Sequence, residues 1–163
     1  MNKDGWMELT VLEKKKYNYL VEIQDVTKQL AESLDRNDQV SARMLIALRQ
    51  DPIRLLAEVD DSARTRLAEL PPEDQEQVGA LRQGAEPGDD GQRVFQEQAG
   101  KTRRLLEQVV EMDRRVNLRM AGEHSFYNKS GAPVFRRLSA GGTGTLGRTG
   151  GGAARWRNFV WKM

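Results

Sequence analysis

The sequence predicts an all-α protein, and three observations carry that expectation. Apolar residues recur at steps of three and four over long stretches, the spacing that keeps one face of a helix apolar. Only 38% of residues are hydrophobic and 6% aromatic against 31% charged, a supply that suits narrow helical stripes better than a sheet buried on one or both faces. No Gly or Pro interrupts the run from Trp6 to Asp38. The expected architecture is an elongated antiparallel helical bundle or coiled coil of three long helices plus a short linking helix, ending in a disordered C-terminal tail. A helical body over residues 1–125 is followed by a flexible basic tail over 126–163. At 163 residues the chain suits one domain with a single core.

The first element follows Leu9, Leu12, Tyr19/Leu20, Ile23, Val26, Leu30 and Leu34. Asp4 is placed to cap its start, and Glu8 lies near the positive end of the helix dipole. A helix of about 30 residues spans roughly 45 Å, too long to wrap inside a small globule, so it lies along other helices. Asp35-Arg36-Asn37-Asp38 is turn-like, and Asn37 or Asp38 can cap the second helix. Val40, Met44/Leu45, Leu48, Leu55/Leu56 and Val59 then continue a helical stripe to about Leu70. Pro52 falls inside this run, so a kink or break is expected near Arg49–Asp51.

Pro71-Pro72 stops the second helix. Glu73 to Arg82 makes a short linking helix that ends at Gly84-Ala85-Glu86-Pro87-Gly88. Asp89 or Asp90 opens the last long helix, whose stripe runs through Val94/Phe95, Ala99, Thr102, Leu105/Leu106, Val109, Met112, Val116 and Met120 to a stop at Gly122. The short turn between the first two helices makes them antiparallel neighbours, with the last helix returning against both.

Charge divides the chain more sharply than its net +2 suggests. Residues 1–123 carry 19 basic and 24 acidic residues, a net −5, whereas residues 124–163 carry seven basic residues and no acid. Six of the ten aromatic residues, Phe126, Tyr127, Phe135, Trp156, Phe159 and Trp161, lie in the last 38 positions. Such a composition boundary marks an organisational one.

Several chemistries are excluded. Without cysteine there is no thiol nucleophile, disulfide, iron–sulfur cluster or thiolate zinc site. His124 is the single imidazole, placed where a helix C-terminus favours its protonated form, and a capping or surface role accounts for it. Gly142-Thr143-Gly144-Thr145-Leu146-Gly147 spells a dinucleotide fingerprint, but glycine-rich sequence lies on both sides instead of a strand and a helix. Asn128-Lys129-Ser130 reads as a glycosylation sequon, which has no meaning without a secretory signal. Asp60-Asp61 and Asp89-Asp90 suit turns and caps. The expectation is therefore a non-enzyme with no catalytic residue, metal, cofactor or small-molecule substrate. No apolar stretch is long enough for a signal or a membrane span, so a cytoplasmic location is expected.

Three polar residues, Lys16, Thr27 and Asp113, intrude on the apolar stripes. Lys16 can snorkel, stem packed and ammonium wet. Taken as a set, with Met112 and Met120 on the last helix, they point to a seam left partly open for a partner's amphipathic helix.

The order of parts resembles the FlgN family of flagellar type III export chaperones. The residues that carry the resemblance are Leu20-Val21-Glu22-Ile23 and Thr27-Lys28 in the first helix, then Leu34-Asp35-Arg36-Asn37-Asp38 at the turn. They continue with Arg49-Gln50, Ile53, Leu56 and Asp60 in the second helix, and with Phe126-Tyr127-Asn128-Lys129-Ser130-Gly131 after the last. The resemblance spans residues 9–131. It implies a cytoplasmic chaperone that binds terminal helices of hook-associated flagellar proteins and delivers them to the cytoplasmic domain of the flagellar export gate. Carried onto this chain, Leu105, Leu106, Val109, Met112, Val116 and Met120 would line the substrate face, and Phe126 and Tyr127 would contact the gate. Pro52 departs from a helix that the family usually keeps continuous, and the sequence after Gly131 resembles nothing in the family.

The basic tail has three readings. It is a tether that presents Arg155-Trp156-Arg157-Asn158-Phe159-Val160-Trp161 to an acidic partner or anionic membrane, a single-stranded nucleic-acid contact, or a terminus with no selected role. The alternative to a chaperone is thus a structural coiled-coil adaptor whose tail binds nucleic acid or membrane. The narrow helical faces also allow a homodimer.

Overall fold

The computed structural model describes residues 1–130, with side chains for residues 1–121. These residues are all-helical: α1 spans Lys3–Asp35, α2 Gln39–Ala68, α3 Pro72–Arg82 and α4 Asp90–Ser130. Of the flexible tail expected over residues 126–163, residues 126–130 continue α4 instead, and 131–163 lie outside the described residues.

The helix ends follow from local hydrogen-bonding chemistry. The side-chain Oδ1 of Asn2, not Asp4, accepts the Gly5 N–H at 2.9 Å and caps α1, while Asp4 occupies the first turn. At the other end, the Asn37 N–H reaches the Leu34 carbonyl and the Asp38 N–H reaches the Ser33 carbonyl, with Asn37 in the left-handed region at φ 55°. This paired arrangement is a Schellman closure, with asparagine in the position glycine usually takes. Asp38 then caps α2, its Oδ1 accepting the Ser41 N–H and its Oδ2 the Ser41 hydroxyl. The same closure ends α3: Gly84, at φ 101°, donates to Leu81, and Ala85 donates to Ala80. Asp89 caps α4 through the Gln92 N–H at 2.8 Å.

Pro52 is buried inside a continuous α2, so of the kink or break expected near Arg49–Asp51 the break does not occur. The ring removes the hydrogen bond to the Leu48 carbonyl, but Arg49, Ile53 and Leu56 are buried on both sides of it, and tertiary packing holds the helix through the defect. Nor does Gly122 stop α4, which runs on to Ser130. A glycine in a helix interior costs only about 1 kcal/mol relative to alanine, too little to end a helix by itself.

Burial along the long helices follows the 3–4 spacing of coiled-coil seams. In α1 the buried positions Trp6, Leu9, Glu13, Lys16, Leu20, Ile23, Thr27, Leu30 and Leu34 alternate by three and four without a break, with Ser33 buried beside Leu34. In α4 they include Phe95, Ala99, Thr102, Leu106, Val109, Asp113 and Val116, again unbroken. In α2 the series Ala42, Leu45, Arg49, Ile53, Leu56, Asp60 and Ala63 contains one extra step of four beside Pro52, a stutter that locally unwinds the repeat.

Two compact units divide these helices. The first comprises residues 1–22 and 55–108, and its core joins Trp6 and Leu9 of α1, Val78 and Leu81 of α3, and Phe95 and Ala99 of α4, with Leu67 of α2 packed against it. The Trp6 and Phe95 rings meet at 5.4 Å in a tilted arrangement, and the Arg82 guanidinium lies 5.9 Å from the Phe95 centroid. The short α3 is fixed there by Gln96, which donates to the carbonyls of Leu81 and Ala85, and by the chain's N-terminal ammonium, 2.8 Å from Asp74. The second unit comprises residues 23–54 and those from 109 onward, with a core of Leu30, Leu34, Ala42, Leu45 and Val116. Other large apolar side chains, Leu20, Ile23, Ile53, Leu56, Leu105, Leu106 and Val109, are buried along the seams outside these two clusters.

Candidate functional site

The sequence pointed to α4 as a binding seam. In the described structure Leu105, Leu106, Val109 and Val116 are buried by the chain itself, and Met112 and Met120 are half-buried. Val116 belongs to the core of the second unit, and Met120 packs against that core. Four of the six side chains expected to line an open seam are therefore committed to internal packing, and the two flexible methionines mark its accessible edge. The side chains of Phe126 and Tyr127, the expected gate contact, and of His124 lie outside the described residues.

The polar residues on the seams do not sit in an open groove. In the first unit Lys16 is buried, its Nζ 2.8 Å from Asp60 Oδ1 and 3.6 Å from Glu13 Oε1. Arg64 closes on the second Asp60 oxygen at 2.9 Å, and Arg82 on Glu13 at 2.7 Å. Thr102 reaches the Glu13 backbone carbonyl at 3.2 Å and the Gln98 carbonyl of its own helix at 3.0 Å. The lysine does not snorkel, because two carboxylates compensate its charge inside.

The second unit holds a smaller counterpart. Arg49 of α2 donates to Asp113 Oδ1 of α4, and Asn117 donates to Asp113 Oδ2 at 3.0 Å. Thr27, fully buried, donates to the Ile23 carbonyl one turn back. Arg49 Nε and Trp6 Nε1 are buried with no hydrogen-bond partner among the described residues. A polar layer in each unit penalises any register in which these side chains face apolar neighbours, the best-attested role of buried polar residues in helical seams.

Cations and amides pair with these carboxylates across helices, an arrangement that orders the helices. Among the described residues no group of three or more His, Asp or Glu side chains is arranged to hold a metal ion. Asp38 is held below the usual carboxylate range, mainly by the Ser41 hydroxyl and then by the Ser41 N–H, and Arg66 is raised by its hydrogen bond to Glu8. Both belong to caps and surface pairs.

The surface feature that sequence reasoning missed is on α2. Val40, Met44 and Leu48, expected in the inward stripe, are 71%, 61% and 58% exposed. They stand at i, i+4 and i+8, a ridge about 12 Å long on the outer face of the second unit. The inward face takes Ala42, Leu45, Arg49 and Ile53 instead. Hydrophobicity alone misplaces these three side chains, although Leu45 and Leu56 of the same expected stripe are buried, because the seam carries an arginine whose compensation comes from Asp113. Shorter exposed apolar pairs occur at Met7 and Val11, and Val94 and Leu118 are exposed singly.

No helix among the described residues is long and apolar enough to cross a membrane. Compared with protein-family models, curated proteins and solved structures, the chain matches none.

Proposed function

We propose that this chain is a non-catalytic, cytoplasmic chaperone of the flagellar type III export kind, which holds the terminal helices of hook-associated proteins and hands them to the cytoplasmic domain of the export gate. The observation that carries the reading is the helical order itself. Two long helices joined by the Leu34–Asp38 turn and a 41-residue α4 support the resemblance, although α4 continues through Phe126-Tyr127 to Ser130, where the resemblance sets that segment after the last helix. The finer architecture, an antiparallel coiled-coil bundle of three long helices, belongs to this proposal, supported by the 3–4 spacing of buried positions in α1 and α4.

On this reading the substrate helix enters along the edge of the α4 seam marked by Met112 and Met120, whose unbranched side chains repack at little cost. Leu105, Leu106, Val109 and Val116 form the floor that a substrate reaches when the seam opens. The test is co-purification of the full chain with terminal helices of hook-associated proteins and, separately, with the gate's cytoplasmic domain. Binding at micromolar concentration that is lost on Met112→Glu or Met120→Glu is expected for the substrate, and loss on Tyr127→Ala for the gate. Binding to neither partner overturns the proposal.

A second reading is favoured by the charge division, −5 over residues 1–123 against +7 over 124–163. In it the helices are a structural adaptor and the basic aromatic tail binds nucleic acid or an anionic membrane. Binding would then fall steeply with salt and vanish on deletion of residues 132–163, whereas the chaperone reading predicts substrate binding that survives that deletion.

A further inference from the structure

We infer that the α2 ridge of Val40, Met44 and Leu48 is a self-association face, covered by α2 of a second copy of this chain lying antiparallel across it. The inference is independent of the chaperone reading. Large side chains at i, i+4 and i+8 form a ridge of the kind that packs into a groove on a facing helix. The groove is present on the same face: Ser41 and Ala47 are small and lie beside the ridge, three residues either side of Met44. A twofold axis through Met44 sets the two Met44 side chains against each other. It also seats Val40 of each copy over Ala47 of the other, and Leu48 over Ser41. Large meets small at both off-axis positions, which is the requirement of an isologous contact.

Charge supports the same pairing. Asp51, highly exposed one turn beyond Leu48, falls opposite the N-terminal end of α2 in the second copy, where the helix dipole is positive and Arg36 is exposed. Asp38 at that end directs its carboxylate to Ser41. The chain's own C-terminal segment, with seven basic residues and no acid after Glu123, brings nothing to pair with Arg36, Arg43 and Arg54 around the ridge, whereas a second copy brings Asp51.

The absence of cysteine makes the test clean, because one introduced thiol reports on self-apposition alone. The full chain carrying Met44→Cys is oxidised mildly beside Leu118→Cys and Val94→Cys, which place the thiol at other exposed apolar positions. A disulfide needs Cβ atoms about 4 Å apart, so Met44→Cys is expected to form a linked dimer at least about fivefold faster than either control. In parallel, sedimentation of the natural chain should show concentration-dependent dimers that Met44→Glu abolishes, with helical content unchanged and the concentration dependence of the melting temperature lost. A monomer at every concentration, equal crosslinking at all three positions, or dimers that persist in Met44→Glu each overturn the inference. So does a ridge covered by the tail or by another protein, since Met44→Cys then stays monomeric.

Discussion

Lys16 Nζ lies 2.8 Å from Asp60 Oδ1 with both side chains about 95% buried, so the middle of the first unit's seam is an ion pair rather than a leucine layer. Removing Asp60 leaves the Lys16 ammonium inside with only Glu13, 3.6 Å away and shared with Arg82. Asp60→Ala is expected to destabilise the protein by about 3–5 kcal/mol, read as a lower urea midpoint at unchanged slope. Lys16→Met is expected to cost much less, because Asp60 keeps Arg64 and Glu13 keeps Arg82. Equal effects of the two substitutions would show that the pair is not compensated as described.

The paired rings of Trp6 and Phe95 give a second expectation. Trp6→Ala empties the largest fully buried side chain and should cost about 3–5 kcal/mol. Trp6→Phe keeps most of the ring contact and removes an indole N–H that has no partner, so its cost should be less than half as large. Chemical denaturation of both variants decides the matter.

The two Schellman closures respond oppositely to substitution. Gly84→Ala forces a Cβ into the left-handed region and should destabilise by roughly 1–2 kcal/mol. Asn37→Gly relaxes the same constraint at the α1–α2 turn and should stabilise by about 0.5–1 kcal/mol, provided the Asp38 cap is retained. Thermal melting of each variant checks the signs.

Asp38 supplies the pH dependence that can be assigned. Its folded pKa lies below its unfolded value, chiefly because the Ser41 hydroxyl and N–H bond the ionised form. The stability it contributes is complete above the unfolded carboxylate range and is lost as pH falls through the lower, folded value. Ser41→Ala should move the Asp38 titration back toward the usual aspartate range, as monitored by carbon-detected NMR. An unmoved titration would remove the hydroxyl as its main cause.

Much of the fold was legible because its punctuation is local. Asp38 and Asp89 as caps, Pro71-Pro72 as a stop and Gly84 as a C-terminal closure each act through bonds to residues within a turn or two, so their chemistry is written next to them. The misjudged positions have the opposite property. Asn2 displaced Asp4 as a cap because helix entry geometry, rather than residue preference, chose the register. Pro52 failed to interrupt its helix because a preference of a few kcal/mol yields to the packing around it, and the preference of Gly122 is too small to end a helix by itself. On the candidate site, the α4 seam was read correctly as a stripe, but whether a stripe faces a partner or its own chain is not encoded in its period.

What the sequence determined by itself is the helical class, the positions of the turns and a charge division that nets to +2. The tertiary structure decided which face of α2 turns inward. It buried Arg49 and Asp60 beside Leu45, Ile53 and Leu56 and left Val40, Met44 and Leu48 outside. The physical reason is that a buried charge is tolerated only beside its counter-charge, and those partners, Asp113 for Arg49 and Lys16 for Asp60, stand on other helices. Pairing across helices therefore set the register, and the register exposed the ridge.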